Sequence, residues 1–262
     1  MSEKIIVVTH KDYQMPNDSL YMPICVGTGL KTLSDKFQPD NTGINISEKN
    51  STYCELTAIY WAWKNIDADK IGIAHYRRHF TLSKGARTVD KALTGTQLNE
   101  LGKKHGLDTV FATPARHYME SIENHYIHSL KGYEEVHAKD IQRLKKAIHE
   151  HDSSYDESAK KVLGGNSAHM LNMFIASKEN FNAYCAWLFP IIDSVVAMSK
   201  DREDQRRYAG ALSEFCLDIW AQKNGLKIIE IPLLETEKAS FYVRLKNYIM
   251  RKLKKRKKSE NK

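Results

Sequence analysis

Residues 71–80 read IGIAHYRRHF, and how this decade folds decides the architecture around it. The first half is a short apolar run. The second half, His75, Tyr76, Arg77, Arg78 and His79, is a polar cluster that no core buries without partners. A buried strand ending in a cationic rim satisfies both halves. The flanking sequence repeats the pattern: "KIIVVTH" (4–10) reads as a buried strand, "YMPICVG" (21–27) as a second apolar stretch, and "DTVFATP" (108–114) as a strand halted by Pro114. Helical segments lie between them. "STYCELTAIYWAWKNI" (51–66) is an amphipathic helix opening at a Ser/Thr cap, and "TGTQLNELGKKHG" (94–106) is a helix closed by Gly106.

Residues 117–160 look helical, polar and His-rich, and "HMLNMFIASKENF" (169–181) is a strand leading into a helix. "NAYCAWLFPIIDSVVAM" (182–198) is a largely buried helix, "RRYAGALSEFCLDIWAQKNG" (206–225) a helix stopped by Gly225, and "LKIIEIPLL" (226–234) a last strand. Strands alternating with helices predict an α/β domain with a mostly parallel central sheet flanked by helices. The apolar run 183–198 is short and interrupted by Pro190 and Asp193, so it is not expected to cross a bilayer.

Composition narrows the class. The chain has 262 residues, 42% of them hydrophobic, enough for one sizeable globular domain. Its N-terminus has no basic segment followed by an apolar one, so a cytoplasmic location is expected. Cys25, Cys54, Cys185 and Cys216 are far apart with no C-x-x-C pair, the pattern of free thiols and not of a disulfide or zinc site.

The formal charge of +8 suggests nucleic acid until it is located. Residues 241–262 hold ten Lys/Arg and one Glu, a net +9, which leaves 30 basic and 31 acidic residues in the other 240. In this tail Phe241, Leu245, Tyr248, Ile249 and Leu253 recur at helical spacing with cations on the other face. A basic amphipathic helix of this kind suits the surface of an anionic membrane, with a solvated terminus as the plain alternative. The division expected is therefore a domain over 1–240 and a membrane-surface anchor over 241–262. A nucleic-acid partner is not expected, because the body of the chain is not basic.

In open α/β sheets ligands bind beyond the carboxyl ends of the strands, which puts His75, Arg77 and Arg78 at the ligand edge. Guanidinium groups keep their charge and grip phosphates bidentately, so the cluster reads as an anion site. Pairing with surface carboxylates is the structural alternative. "DAD" (67–69) imitates a metal-binding D-x-D, but it precedes the strand; Asp67 and Asp69 belong at the opposite edge and no metal is expected there.

"YCELTAIYWAWKNIDADKIGIAHYRRHF" (53–80) closely resembles the signature of bacterial capsular and lipopolysaccharide glycosyltransferases long catalogued as a domain of unknown function. "DNTGINISEKN" (40–50), "ATPARHYMESIENHYIHSL" (112–130), "HMLNMFIASKENFNAYCAWLFPI" (169–191) and "RRYAGALSEFCLDIWAQKNGLKIIEIPL" (206–233) look like further blocks of that family, so the resemblance spans roughly residues 4–233. It implies a GT-A-like domain that moves a hexose, galactose in pyranose or furanose form above others, from a UDP-sugar to a lipid-linked glycan at the inner face of the plasma membrane. No cofactor beyond the donor is implied.

The implied roles follow the positions. His75, Arg77 and Arg78 take the donor diphosphate in place of a metal. Thr9, His10 and Lys11, at the end of the first strand, meet the nucleotide; a polar turn is the plain alternative. Asp40 and Asn45 in a polar loop, Glu55 in an aromatic helix, Tyr76 and Asn172 are placed near the donor sugar or acceptor, and His169 beside the reacting groups. Inverting transfer needs a group to take the acceptor's proton. Glu214, an isolated carboxylate on an apolar helix face, is the first choice for that base and Asp204 the second. A phosphoglycosyl- or nucleotidyltransferase, and a non-catalytic sugar-nucleotide-binding component of a membrane assembly complex, remain open readings.

Overall fold

Ile5, Ile6, Val7 and Val8 are buried, which makes β1 (Glu3–Thr9) a central strand. In the computed structural model, which describes residues 2–237, β2 (Tyr21–Cys25) and β4 (Lys70–His75) flank β1 in parallel, and β3 (Gln38–Pro39) extends the β2 edge. On the other side β9 (Phe174–Ser177) runs antiparallel between β4 and β6 (Val110–Ala112), and β10 (Ile228–Glu230) pairs in parallel with β6. The order is β10-β6-β9-β4-β1-β2-β3, a mostly parallel sheet, as the alternating sequence predicts. The chain turns back from β4 into β5 (Arg78–Phe80), which β11 (Leu233–Glu235) joins antiparallel. A separate ladder pairs β7 (Arg116–His117) with β8 (Ser167–Ala168).

Gly72 explains the tightness at the centre. A Cβ there would lie 2.8 Å from Ile175 and 3.0 Å from Ile5, side chains of the two strands that flank β4.

Among the described residues, ten α-helices surround the sheet. Among the shorter ones are α1 (Leu30–Leu33), α2 (Asn50–Tyr53), α3 (Leu56–Asn65), α4 (Gly95–His105) and α5 (Ile122–Ile127). The rest are α6 (Glu134–Asp152), α7 (Asp156–Gly164), α8 (Lys178–Met198), α9 (Tyr208–Ser213) and α10 (Cys216–Lys223). The start of α4 follows its sequence: Thr94 and Gln97 form a reciprocal capping box. α8 is 21 residues long, longer than the 183–198 run, and by length and composition alone it could cross a membrane. Here its apolar side, including Phe181, Leu188 and Ile192, is part of the core and packs on α6 and β9.

Three expected elements are divided. The helix over 51–66 breaks at Cys54 (φ 52°, ψ −127°), and no side-chain cap opens it. The helix over 206–225 is interrupted at Glu214 and Phe215, between α9 and α10. The single strand over 226–234 becomes β10 and β11, which pair with different partners. The cysteines are free, as expected, with only Cys54 away from full burial. The tail over 241–262 lies outside the described residues.

Candidate functional site

Parallel register brings the ends of three strands to one edge: Val8 pairs with His75, and Thr9 with Cys25. Beyond that edge lies a cavity of about 610 Å³, within the size range of small-molecule sites. Its wall includes His10 after β1, Val26 after β2, and His75 to Arg78 at the β4–β5 turn. The α2–α3 break supplies Ser51, Cys54 and Glu55, and the approach to α9 supplies Asp204, Arg206 and Arg207. Leu171 and Glu214 also line it.

The backbone is distorted where it meets this cavity. The non-glycine residues with positive φ among those described are Cys54 (52°), Leu171 (82°), Asn172 (53°) and Arg207 (64°). Three line the wall and the fourth, Asn172, bonds to Glu55 on it. Each such conformation costs on the order of 1–3 kcal/mol, and costs of this kind concentrate at functional sites.

The turn at 171–172 ties the ionisable groups together. The His75 ring places Nε2 2.7 Å from the Leu171 carbonyl oxygen; a carbonyl only accepts, so Nε2 carries the hydrogen. Burial, followed by Arg78 and Arg77, lowers the His75 pKa, while Glu55 and the Leu171 bond oppose. His75 is therefore neutral, and the expectation of a cation at this position is corrected. The Asn172 amide donates to Glu55 Oε1 at 2.7 Å, to Ser213 Oγ at 2.9 Å and to the Gly210 carbonyl at 3.2 Å. Burial, then Glu55, pushes the Glu214 carboxyl up to about 7, against a backbone hydrogen bond from Leu171 and the charges of Arg116 and Arg78.

The guanidiniums are partnered unevenly. Arg77 Nη1 is 3.0 Å from Glu237 Oε2, a bond that raises the Arg77 pKa, and Arg78 Nε is 3.3 Å from Glu235 Oε1. Arg206 holds Asp204 with Nε at 2.9 Å and Nη2 at 3.1 Å, and this fork takes the Asp204 pKa down to about 2. Asp204 lines the cavity as expected, and while Arg206 holds it, it is a weaker proton acceptor than Glu214. Tyr76 is on the wall, with the His10 ring edge-on at 5.3 Å and Tyr13 at 5.4 Å.

Other expected site residues lie off the wall. The Thr9 hydroxyl is consumed by Lys11, donating to its carbonyl at 2.5 Å and accepting from its N–H at 3.1 Å. Lys11 is exposed outside the cavity; of the 9–11 group only His10 lines it. Asp40 is buried and accepts from the Ser47 hydroxyl at 2.6 Å, while the Asn45 amide closes on the Gly43 carbonyl at 3.0 Å, so both shape the loop. Asn172 is 4% exposed, its amide already used three times, so it supports Glu55 where a sugar contact was expected. His169 sits between carboxylates: Nδ1 lies 2.7 Å from Asp218 Oδ1 and Nε2 3.5 Å from Glu230 Oε1. Burial alone would lower its pKa, but Asp218 and Glu230 outweigh it and raise it, and the pinned ring lies away from the cavity wall. His79 points away, fully buried against Tyr21, and burial takes its pKa down to about 4.

Asp67 pairs with Lys178 at 2.6 Å and Asp69 accepts from the Ser2 N–H at 2.6 Å, both ahead of β4 and far from its carboxyl end. Among the described residues no three His, Cys, Asp or Glu side chains group to hold a metal. Arg206 and Arg207 were not anticipated. The doublet before Tyr208 carries the same Arg-Arg signal as 77–78, but without a strand in front of it the sequence gives it no edge to occupy.

The family model described as a domain of unknown function, DUF4422, matches residues 4–225. Among solved structures, the apo form of WbbM, a bifunctional glycosyltransferase, aligns with a TM-score of 0.78 at 25% identity. The alignment covers 91% of this chain and 46% of that one, so this chain spans about half the length of the protein it matches. No curated protein matches.

Proposed function

The chain belongs to the DUF4422 family, and from that premise we propose that it is a glycosyltransferase moving a hexose from a UDP-sugar to a lipid-linked glycan in capsule, exopolysaccharide or O-antigen synthesis. The sugar we propose is galactose, in pyranose or furanose form. The observation that carries the reading is a cavity at the carboxyl edge of the sheet with Arg77, Arg78, Arg206 and Arg207 on its wall and, on the same wall, a carboxyl poised near neutrality. The likeness to WbbM supports the same class.

In this reading the guanidiniums neutralise the charge that grows on the leaving diphosphate, without a divalent metal. The acceptor hydroxyl oxygen attacks the anomeric carbon, the bond from that carbon to the diphosphate oxygen breaks, and Glu214 takes the hydroxyl proton. Its pKa of about 7 suits that exchange near neutral pH. Glu55, fixed by Asn172, keeps a second carboxylate beside it. The polybasic tail holds the enzyme at the anionic inner face of the plasma membrane, where a lipid-linked acceptor resides.

The test is a panel of UDP-sugars with membrane lipid extract, with and without EDTA, reading the nucleotide released. UDP release that survives EDTA is expected. Release of UMP would assign the phosphoglycosyl alternative, donor binding without turnover the non-catalytic one, and loss with EDTA reversed by manganese would end the metal-free reading.

A further inference from the structure

Of the guanidiniums on the cavity wall, three are already held by carboxylates: Arg77 by Glu237, Arg78 by Glu235, and Arg206 by Asp204. Arg207 is exposed on the same wall, and among the described residues its guanidinium has no ion pair and no hydrogen bond. Its backbone is nonetheless tightly placed. The Arg207 N–H donates to the Ser51 carbonyl at 2.9 Å, its own carbonyl accepts from Ala211, and it stands at φ 64°, ψ −9° as the residue before α9. Left-handed backbone costs a side-chain-bearing residue about 1–2 kcal/mol, which glycine escapes. The backbone geometry alone would be better served by glycine, so an arginine here is explained by what its side chain does.

We propose that Arg207 is the principal anion-binding residue of the cavity, taking the diphosphate of the nucleotide donor, while Arg77 and Arg78 have their charge engaged by Glu237, just after β11, and Glu235, within it. The identity of the anion rests on the glycosyltransferase reading; the ranking of the arginines rests on the ion pairs. His10 marks the place: it lines the same wall as Arg207 and Arg77, and both cations, after burial and Lys11, lower its pKa. An anion at His10 thus meets Arg207 without displacing a carboxylate, whereas Arg77 must first release Glu237. The acids on the wall are otherwise engaged, Glu55 with Asn172 and Asp204 with Arg206, and Glu214 is half-protonated near neutral pH.

The test is binding of UDP, UMP and inorganic pyrophosphate to the full chain by titration calorimetry. Arg207→Gly relieves the positive φ, so it is expected to keep or raise the melting temperature while weakening UDP by at least about tenfold, the scale of one charge-assisted hydrogen bond. The loss should be larger for UDP than for UMP, which a purely structural role would not produce, and Arg207→Lys should recover part of it. Arg77→Ala and Arg78→Ala should each cost less. Wild-type UDP affinity in Arg207→Gly, with a tenfold loss in Arg77→Ala or Arg78→Ala, would overturn the proposal and leave the diphosphate site standing. Failure of the wild type to bind UDP or pyrophosphate at all would remove both.

Discussion

Glu214 combines two properties that pull against each other. Its carboxyl is pushed up from 4.5 to about 7 by burial and by Glu55, so between those values the folded chain binds protons that the unfolded chain has released. Stability must therefore fall as pH rises from 4.5 to 7, and the full cost is present above 7. The difference sets an upper limit of about 3 kcal/mol. Glu214→Gln, which removes the charge and keeps the shape, should melt higher than the wild type at pH 8, and the gain should vanish as the pH is lowered to 4.5. Equal melting curves at pH 8 would show that the carboxylate carries no such cost. The same variant should lose transfer activity by about 100-fold or more, while the wild type gains activity through pH 7 as Glu214 ionises. His75 shows the limit of residue-level reading. Beside two arginines in sequence it reads as one more cation, yet the carbonyl that fixes its tautomer comes from Leu171, 96 residues away, and no local pattern announces it.

The two interrupted helices explain how the carboxylates reach the cavity. Apolar periodicity runs unbroken through Cys54 and through Glu214 and Phe215, with no proline or glycine at either point, so the sequence predicts continuous helices and the breaks are set by tertiary contact. At Cys54 the carbonyl is taken up by the Asn50 amide at 2.9 Å and by Thr57, whose N–H lies at 3.2 Å and hydroxyl at 3.1 Å. α9 crosses this break closely: a Cβ on Gly210 would stand 3.0 Å from the Tyr53 carbonyl oxygen and 3.1 Å from Cys54 Cβ. The bend turns Glu55 toward the cavity, and Gly210 lets the helix that leads to Glu214 come close to it. If the break is strained as φ 52° and ψ −127° indicate, Cys54→Gly should be more stable than Cys54→Ala by about 1 kcal/mol in urea denaturation, since only glycine adopts that region freely. Equal midpoints would mean that the Asn50 and Thr57 bonds already remove the strain. The strands were legible for the opposite reason: runs such as residues 5–8, all β-branched, and 71–74, with Ile71 and Ile73, are short and apolar, and their meaning does not depend on distant partners.

For the whole molecule, charge separates what the fold alone does not. The first 240 residues carry 30 basic and 31 acidic side chains, while the remaining 22 carry a net +9, so nearly all long-range attraction to an anionic surface belongs to the tail. The chain passes out of the described region at Glu237, which is bonded to Arg77 on the cavity wall. On the proposed function, a tail attached beside the cavity would bring it to the surface where the proposed lipid-linked acceptor lies. Each Lys or Arg near anionic headgroups contributes about 1 kcal/mol, so reversing Lys254, Lys255, Arg256, Lys257 and Lys258 to glutamate should abolish sedimentation with phosphatidylglycerol vesicles. UDP affinity should be unchanged in the same variant, because the proposed donor site is the cavity of the described domain and the proposed membrane contact is the tail. Binding of the wild type should also weaken steeply with salt, as screening shortens the reach of exposed charge. Sedimentation that persists in the reversed variant, or equal binding to uncharged phosphatidylcholine vesicles, would show that the tail's cations do not hold the protein at the membrane, and the proposed approach of the cavity to a membrane surface would lose its support.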